Sequence, residues 1–137
     1  MDESRLKEIS LFAGLGKHER QALAQHTDEV DAPEGKTLAR EGEFAYEFFV
    51  IEEGTAEVTI DGEPRAELGP GDFFGEIGAL GKVPRVATVT AKTPMELIVM
   101  TSRDIRALDK GDPDVAERLR AAIAERLPET SAAPLSD

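Results

Sequence analysis

The chain contains no cysteine, which excludes disulfides, thiolate catalysis and zinc–thiolate sites. Histidine is nearly absent too: His18 and His26 are the only two, both near the N-terminus, and both read as surface or half-buried side chains. A metal-dependent enzyme on a small barrel needs histidines and a carboxylate converging from its strands, and the strand-forming region here carries no histidine. No apolar run approaches the roughly 20 residues that span a bilayer. The start, Met1-Asp2-Glu3-Ser4-Arg5, has no apolar signal-peptide core. Bases are scarce: 16 Lys and Arg stand against 28 Asp and Glu, a formal net charge of −12. Such a chain repels nucleic-acid phosphates and anionic membranes. The expectation is a cytoplasmic globular protein with no metal, no direct nucleic-acid contact and no membrane span. Its 137 residues suffice for one domain with a real core.

Residues 4–26 read as helical, with Leu6, Ile9, Phe12 and Leu15 as an apolar stripe broken by Gly14 and Gly16. Lys17 to His26 forms a second short helix with Ala22 and Leu23 inward. From about residue 28 the period becomes two. The pattern predicts strands at 28–32, 36–41, 46–53, 55–61, 63–68, 72–74, 86–92 and 95–101, separated by glycine- and proline-bearing turns. Asp61-Gly62 predicts a type I′ hairpin, whose two central residues need positive φ. Short strands at this spacing suggest a small barrel or jelly roll. Ser102 is the expected cap of a helix to Leu108, and Asp112-Pro113 opens another through Leu127. In that last helix Val115, Leu119, Ile123 and Leu127 form a packing stripe, and Asp114 is expected to pair with Arg118. Pro128 stops it, and residues 129–137 read as a flexible tail.

The densest chemistry lies in Phe73 to Val89. It holds one acid, Glu76, two bases, Lys82 and Arg85, and three glycines, Gly75, Gly78 and Gly81. By contrast, Glu41 to Glu57 carries six glutamates and no base, which reads as a solvated face. Gly75 suits a tight backbone turn against a ligand. Residues 76–80 fit a single helical turn whose free N–H groups bind an anion. Arg85 can add a bidentate, charge-assisted pair to phosphate oxygens, each bond worth about 1.5–3 kcal/mol. Glu76 only accepts, so it suits a sugar hydroxyl rather than a phosphate. A ligand with both a phosphate and a ribose hydroxyl satisfies all three. Two decoys fall away. Gly69 to Gly75 misplaces the third glycine of a dinucleotide fingerprint by one, and Gly16-Lys17-His18 lacks the hydroxyl residue of a P-loop.

Phe74-Gly75-Glu76-Ile77-Gly78-Ala79-Leu80 followed by Pro84-Arg85-Val86-Ala87-Thr88-Val89 resembles the phosphate-binding cassette of the cyclic nucleotide-binding domain family. Residues 77–84, eight in all, separate the acid from the arginine, which matches the family's commonest spacing. Leu11 to Leu15, Gly35 to Glu43, Phe48 to Ile51 with Gly54, and Leu68 to Asp72 resemble further family segments. The likeness runs over about residues 5–127.

The resemblance implies an eight-stranded β jelly-roll barrel (a double-stranded β-helix) with N-terminal helices, a short phosphate-binding helix and C-terminal helices. The implied domain is 1–127: an N-terminal helical segment at 1–27, a β-roll at 28–101 and C-terminal helices at 102–127, then the tail at 128–137. It implies no catalytic residue and no cofactor beyond the ligand, cAMP or cGMP. The implied ligand-binding set is Gly75, Glu76, Ile77, Gly78, Arg85, Val86 and Ala87. Glu76 would take the ribose 2′-hydroxyl, Arg85 the cyclic phosphate, and backbone N–H groups near Ile77, Gly78 and Val86 would complete the cradle. Leu119 or Ile123 would form an apolar lid over the base. Val86 stands where the family often has Ala, Ser or Thr; the missing hydroxyl leans towards cAMP. The expected role is a sensor that passes its signal to a separate effector protein or through a homodimer. A degenerate domain kept as a protein-interaction scaffold is the alternative.

Overall fold

The computed structural model describes residues 3–42, 47–75 and 87–126, with side chains as far as 122. Helices flank a mainly β body. A short helix α1 (Glu3–Lys7), a 3-10 turn (Ser10–Phe12) and α2 (Lys17–Ala24) come first. The strands β1 (Asp28–Ala32), β2 (Thr37–Ala39), β3 (Glu47–Glu53), β4 (Ala56–Ile60), β5 (Glu63–Leu68), β6 (Phe73–Gly75), β7 (Thr88–Ala91) and β8 (Met95–Thr101) follow. Helices α3 (Ser102–Gly111) and α4 (Pro113–Arg126) close the described chain. Among the described residues no helix is long and apolar enough to cross a membrane.

The strands form two antiparallel four-stranded sheets, ordered β1-β8-β3-β6 and β2-β7-β4-β5. Their sequence patterns differ for a physical reason. In β4 and β7 buried residues alternate with half-buried ones, as in Thr88-Val89-Thr90-Ala91, because only one face meets the interior. In β3 and β8 the apolar residues run on, Phe48-Phe49-Val50-Ile51 and Leu97-Ile98-Val99-Met100, because both faces are covered. Phe49, Ile51, Phe74, Leu97 and Val99 join an interior cluster with Ala56, Val58, Leu68 and Val89 of the other sheet. Phe48, Val50, Phe73, Ile98 and Met100 point the other way, into a cluster with all four helices. Two phenylalanine pairs mark the two sides. Phe49 stacks on Phe74 at 4.7 Å between ring centroids, and Phe48 meets Phe73 at 5.7 Å.

Local signals explain the turns and caps. Asp61 (φ 52°) and Gly62 (φ 80°) connect β4 to β5 as a two-residue hairpin, as the dipeptide predicts. Leu6, Ile9, Phe12 and Leu15 are all buried, although the helix that would carry them as one stripe is interrupted at the 3-10 turn. Pro113 opens α4, with the Ala116 amide donating to Asp112 O at 3.1 Å. His18 is exposed and His26 half-buried.

Three expectations need correction. The cap of α3 is Thr101, not Ser102. The Asp104 amide donates to Thr101 Oγ1, and the Thr101 amide donates to Asp104 Oδ2 at 2.9 Å. This reciprocal box needs an acid at the third helical position, which Asp104 occupies only when the cap is Thr101. Arg118 pairs not with Asp114 but with Glu19 of α2, at 2.9 Å, so it ties α4 to the N-terminal helices. Glu52 is not part of a solvated face: its side chain is 8% exposed. It is the extra residue of a bulge, since Ile51 pairs with Leu97 and Glu53 with Glu96.

Candidate functional site

The segment 76–86 joins β6 to β7, and so connects one sheet to the other. Its two roots are well defined. On the near side Phe74 is buried in the interior cluster, paired across from Phe49. On the far side Ala87 is buried in the same cluster, just before β7. The chain thus leaves one apolar cluster at Phe74 and returns to it at Ala87. Thr88, the next residue, accepts a hydrogen bond at Oγ1 from the Glu41 amide at 3.1 Å, which fixes the start of β7 against the end of β2.

Gly75 is the last described residue before the segment, and its backbone has φ 98°. A Cβ there would collide with the carbonyl oxygen of Glu47 and lie 3.2 Å from Phe48 Cα. Sequence reading gave Gly75 the task of letting the backbone approach a ligand. The close approach in the structure is to β3, whose Phe48 lies opposite Gly75 in the register. Only glycine combines that φ with that contact.

Of the residues singled out from sequence, Gly75 and Ala87 stand at the two roots of the segment. Glu76, Ile77, Gly78, Arg85 and Val86 lie outside the described residues, as does the expected helical turn at 76–80. Leu119 is fully buried in the helix-side cluster. Its neighbours there include residues of the 3-10 turn and of α2, on the opposite side of the sheet from Phe74 and Ala87. In this arrangement it packs among the helices. The side chain of Ile123 lies outside the described residues, and Leu127 and the tail do too. Sequence reading missed the Arg118–Glu19 tie between α4 and α2 and the Arg120–Asp109 pair between α4 and α3, at 2.6 Å. Pairs between elements carry no sequence spacing that would reveal them.

Two facing antiparallel sheets with a helical layer on one of them define a β-roll. The sequence pattern of the cyclic nucleotide-binding domain family matches residues 29–112, and the chain belongs to that family. It is 42% identical over 103 residues to a cAMP-dependent protein kinase regulatory subunit from Yarrowia lipolytica, covering 73% of this chain and 27% of that protein. It is 33% identical over 118 residues to a cyclic nucleotide-gated potassium channel from Rhizobium etli, covering 86% and 33%. The chain therefore spans about a quarter to a third of the length of these curated relatives. Among solved structures, the N-terminal domain of a transcriptional regulator from Streptomyces coelicolor A3(2) is similar. It has a TM-score of 0.72, 31% identity, and coverage of 91% of this chain and 93% of that one.

Proposed function

We propose that this domain is a non-enzymatic cyclic nucleotide sensor that prefers cAMP. Glu76 accepts from the ribose 2′-hydroxyl and Arg85 pairs with the cyclic phosphate, with backbone N–H groups near Ile77, Gly78 and Val86 around it. Gly75 and Ala87 hold the ends of that cassette in place. The observation that carries this reading is the common root of the segment: Phe74 and Ala87, which flank residues 76–86 in the chain, sit in one interior cluster. The family assignment and the cassette residues agree with it. Val86 offers no hydroxyl to a guanine, which favours cAMP over cGMP.

The output passes to a separate effector through movement of the C-terminal helix. Relatives that bear a kinase-regulatory name and a channel name support a module whose output depends on what it is joined to. The proposed domain is 1–127, in the cytoplasm, and a homodimer is one arrangement the test below can register. The test is calorimetry with cAMP and cGMP on the wild-type chain and on Arg85→Ala, with sedimentation in parallel. Binding of cAMP that is lost in Arg85→Ala, while the fold persists, is expected. No heat with either nucleotide at high micromolar concentration sinks the sensor reading and leaves the scaffold alternative.

A further inference from the structure

Four charged side chains meet where α1 lies over the sheet, and none belongs to the proposed nucleotide site. Arg5 of α1 places one guanidinium nitrogen, Nη2, 2.8 Å from Oε2 of Glu52, 3.2 Å from Oε2 of Glu29 and 3.9 Å from Oε2 of Glu96. The three acids come from three adjacent strands: Glu29 from β1, Glu52 from β3 and Glu96 from β8. Glu29 and Glu96 are substantially exposed, whereas Glu52 is held inward by its bulge. The second oxygen of Glu52, Oε1, is buried and accepts no hydrogen bond from any described residue.

Charge and hydrogen-bond balance bear on the protonation state. Three carboxylates around one guanidinium leave two negative charges in excess, and one of the three is out of water. An ionised carboxylate with an orphaned buried oxygen is the costly form. A protonated carboxyl turns that oxygen into a donor, and Glu29, which touches the same Arg5 nitrogen, is an acceptor. Arg5 stays neutralised by Glu29 and Glu96 when Glu52 is neutral. We propose that Glu52 holds a proton that it shares with Glu29, and that this proton, by removing the buried excess charge beneath Arg5, favours the seating of α1 on the sheet. The N-terminal helix is then gripped more tightly as the medium becomes more acid.

The titration of Glu52 agrees in direction. Burial, the largest influence, lifts its pKa above the ordinary carboxylate value of 4.5; the bond from Arg5 lowers it, and the bond to Glu29 and the charge on Glu29 raise it. The groups facing Glu52 are Arg5 from α1, Glu29 from β1 and Glu96 from β8. For an acid whose pKa is raised on folding, the contribution is complete below the unfolded value and is lost as pH rises through the folded one.

The test is a carbon-detected NMR titration of the glutamate carboxyls, paired with amide-exchange protection of Glu8 and Ile9, which donate to the α1 carbonyls of Arg5 and Leu6. Glu52 is expected to titrate above the exposed glutamates, and protection of Glu8 and Ile9 to fall through that same midpoint. Glu52→Gln, permanently neutral and still able to donate to Glu29, is expected to hold protection level across the range. Glu29→Gln is expected to lower the Glu52 midpoint. The proposal is overturned if wild-type Glu52 titrates at or below the exposed glutamates, or if Glu52→Gln and wild type lose protection along the same pH course. Because the titration is read on the wild-type chain, it decides even if a variant fails to fold, and it is independent of any nucleotide.

Discussion

Gly75 carries a requirement for glycine that lies in the fold: a positive φ against the backbone of β3. Its place in a glycine-bearing segment was legible; the collision with the Glu47 carbonyl was not, because nothing in the chain says that β3 passes there. The two reasons predict different behaviour. Gly75→Ala is expected to destabilise the nucleotide-free protein by about 2–4 kcal/mol, measured by urea unfolding, from an unfavourable φ and a forced backbone shift. Arg85→Ala is expected to leave the unfolding free energy within about 0.5 kcal/mol while removing nucleotide binding. Thr101 carries the opposite lesson. Thr101-x-x-Asp104 is a capping-box pattern present in the sequence, and the adjacent Ser102 is by residue type an equally good cap. Thr101→Ala is expected to lower stability by about 1 kcal/mol in the same measurement.

At the scale of elements, strands were legible wherever burial is one-sided or a turn is dictated. Asp61-Gly62 located its hairpin because positive φ at two successive positions admits few residues. β2 came out shorter than its pattern, three residues at 37–39, where its pairing with β7 shifts register. The N-terminal stripe was right about which residues are buried and wrong about the continuity of the helix. The helix stops at Lys7 and gives way to the 3-10 turn at Ser10–Phe12, and Gly16 caps the start of α2, yet tertiary contact keeps Leu15 inside. Leu119 belongs to the same layer. Its truncation to Ala is expected to cost about 2–5 kcal/mol, as for a fully buried leucine. A loss below about 1 kcal/mol in urea unfolding would argue that α4 detaches readily from this layer.

Across the whole molecule, the excess of acid gives a pH profile with two limbs of opposite origin. Asp109 is held below the ordinary carboxylate value of 3.8, chiefly by its hydrogen bond from Arg120. A depressed pKa contributes stability that is present above the unfolded value and lost as pH falls through the folded one. Asp109 therefore acts on the acid limb, whereas Glu52 acts above the ordinary carboxylate range. Asp109→Asn is expected to flatten the thermal midpoint's fall below about pH 4 and leave the upper limb unchanged; a flattening of both limbs would show that the two groups are coupled. The change is small, since both partners are more than a third exposed. Net charge was legible from composition alone, but its division between limbs was not. It depends on which carboxylate faces a guanidinium and which lies under one.

The two-sided sheet also equips the protein for spectroscopy. The chain has three methionines, and the two in the described structure, Met95 and Met100, lie on the same strand, β8. Met95 points into the interior between the sheets and Met100 into the helical layer. A single isotopic label on methionine methyl groups therefore supplies one reporter for each core, five positions apart in the chain. An event that begins inside the roll disturbs the Met95 signal first, and one that begins among the helices disturbs Met100 first. The order in which the two lines respond to a titrant reads out the direction in which a perturbation crosses the sheet.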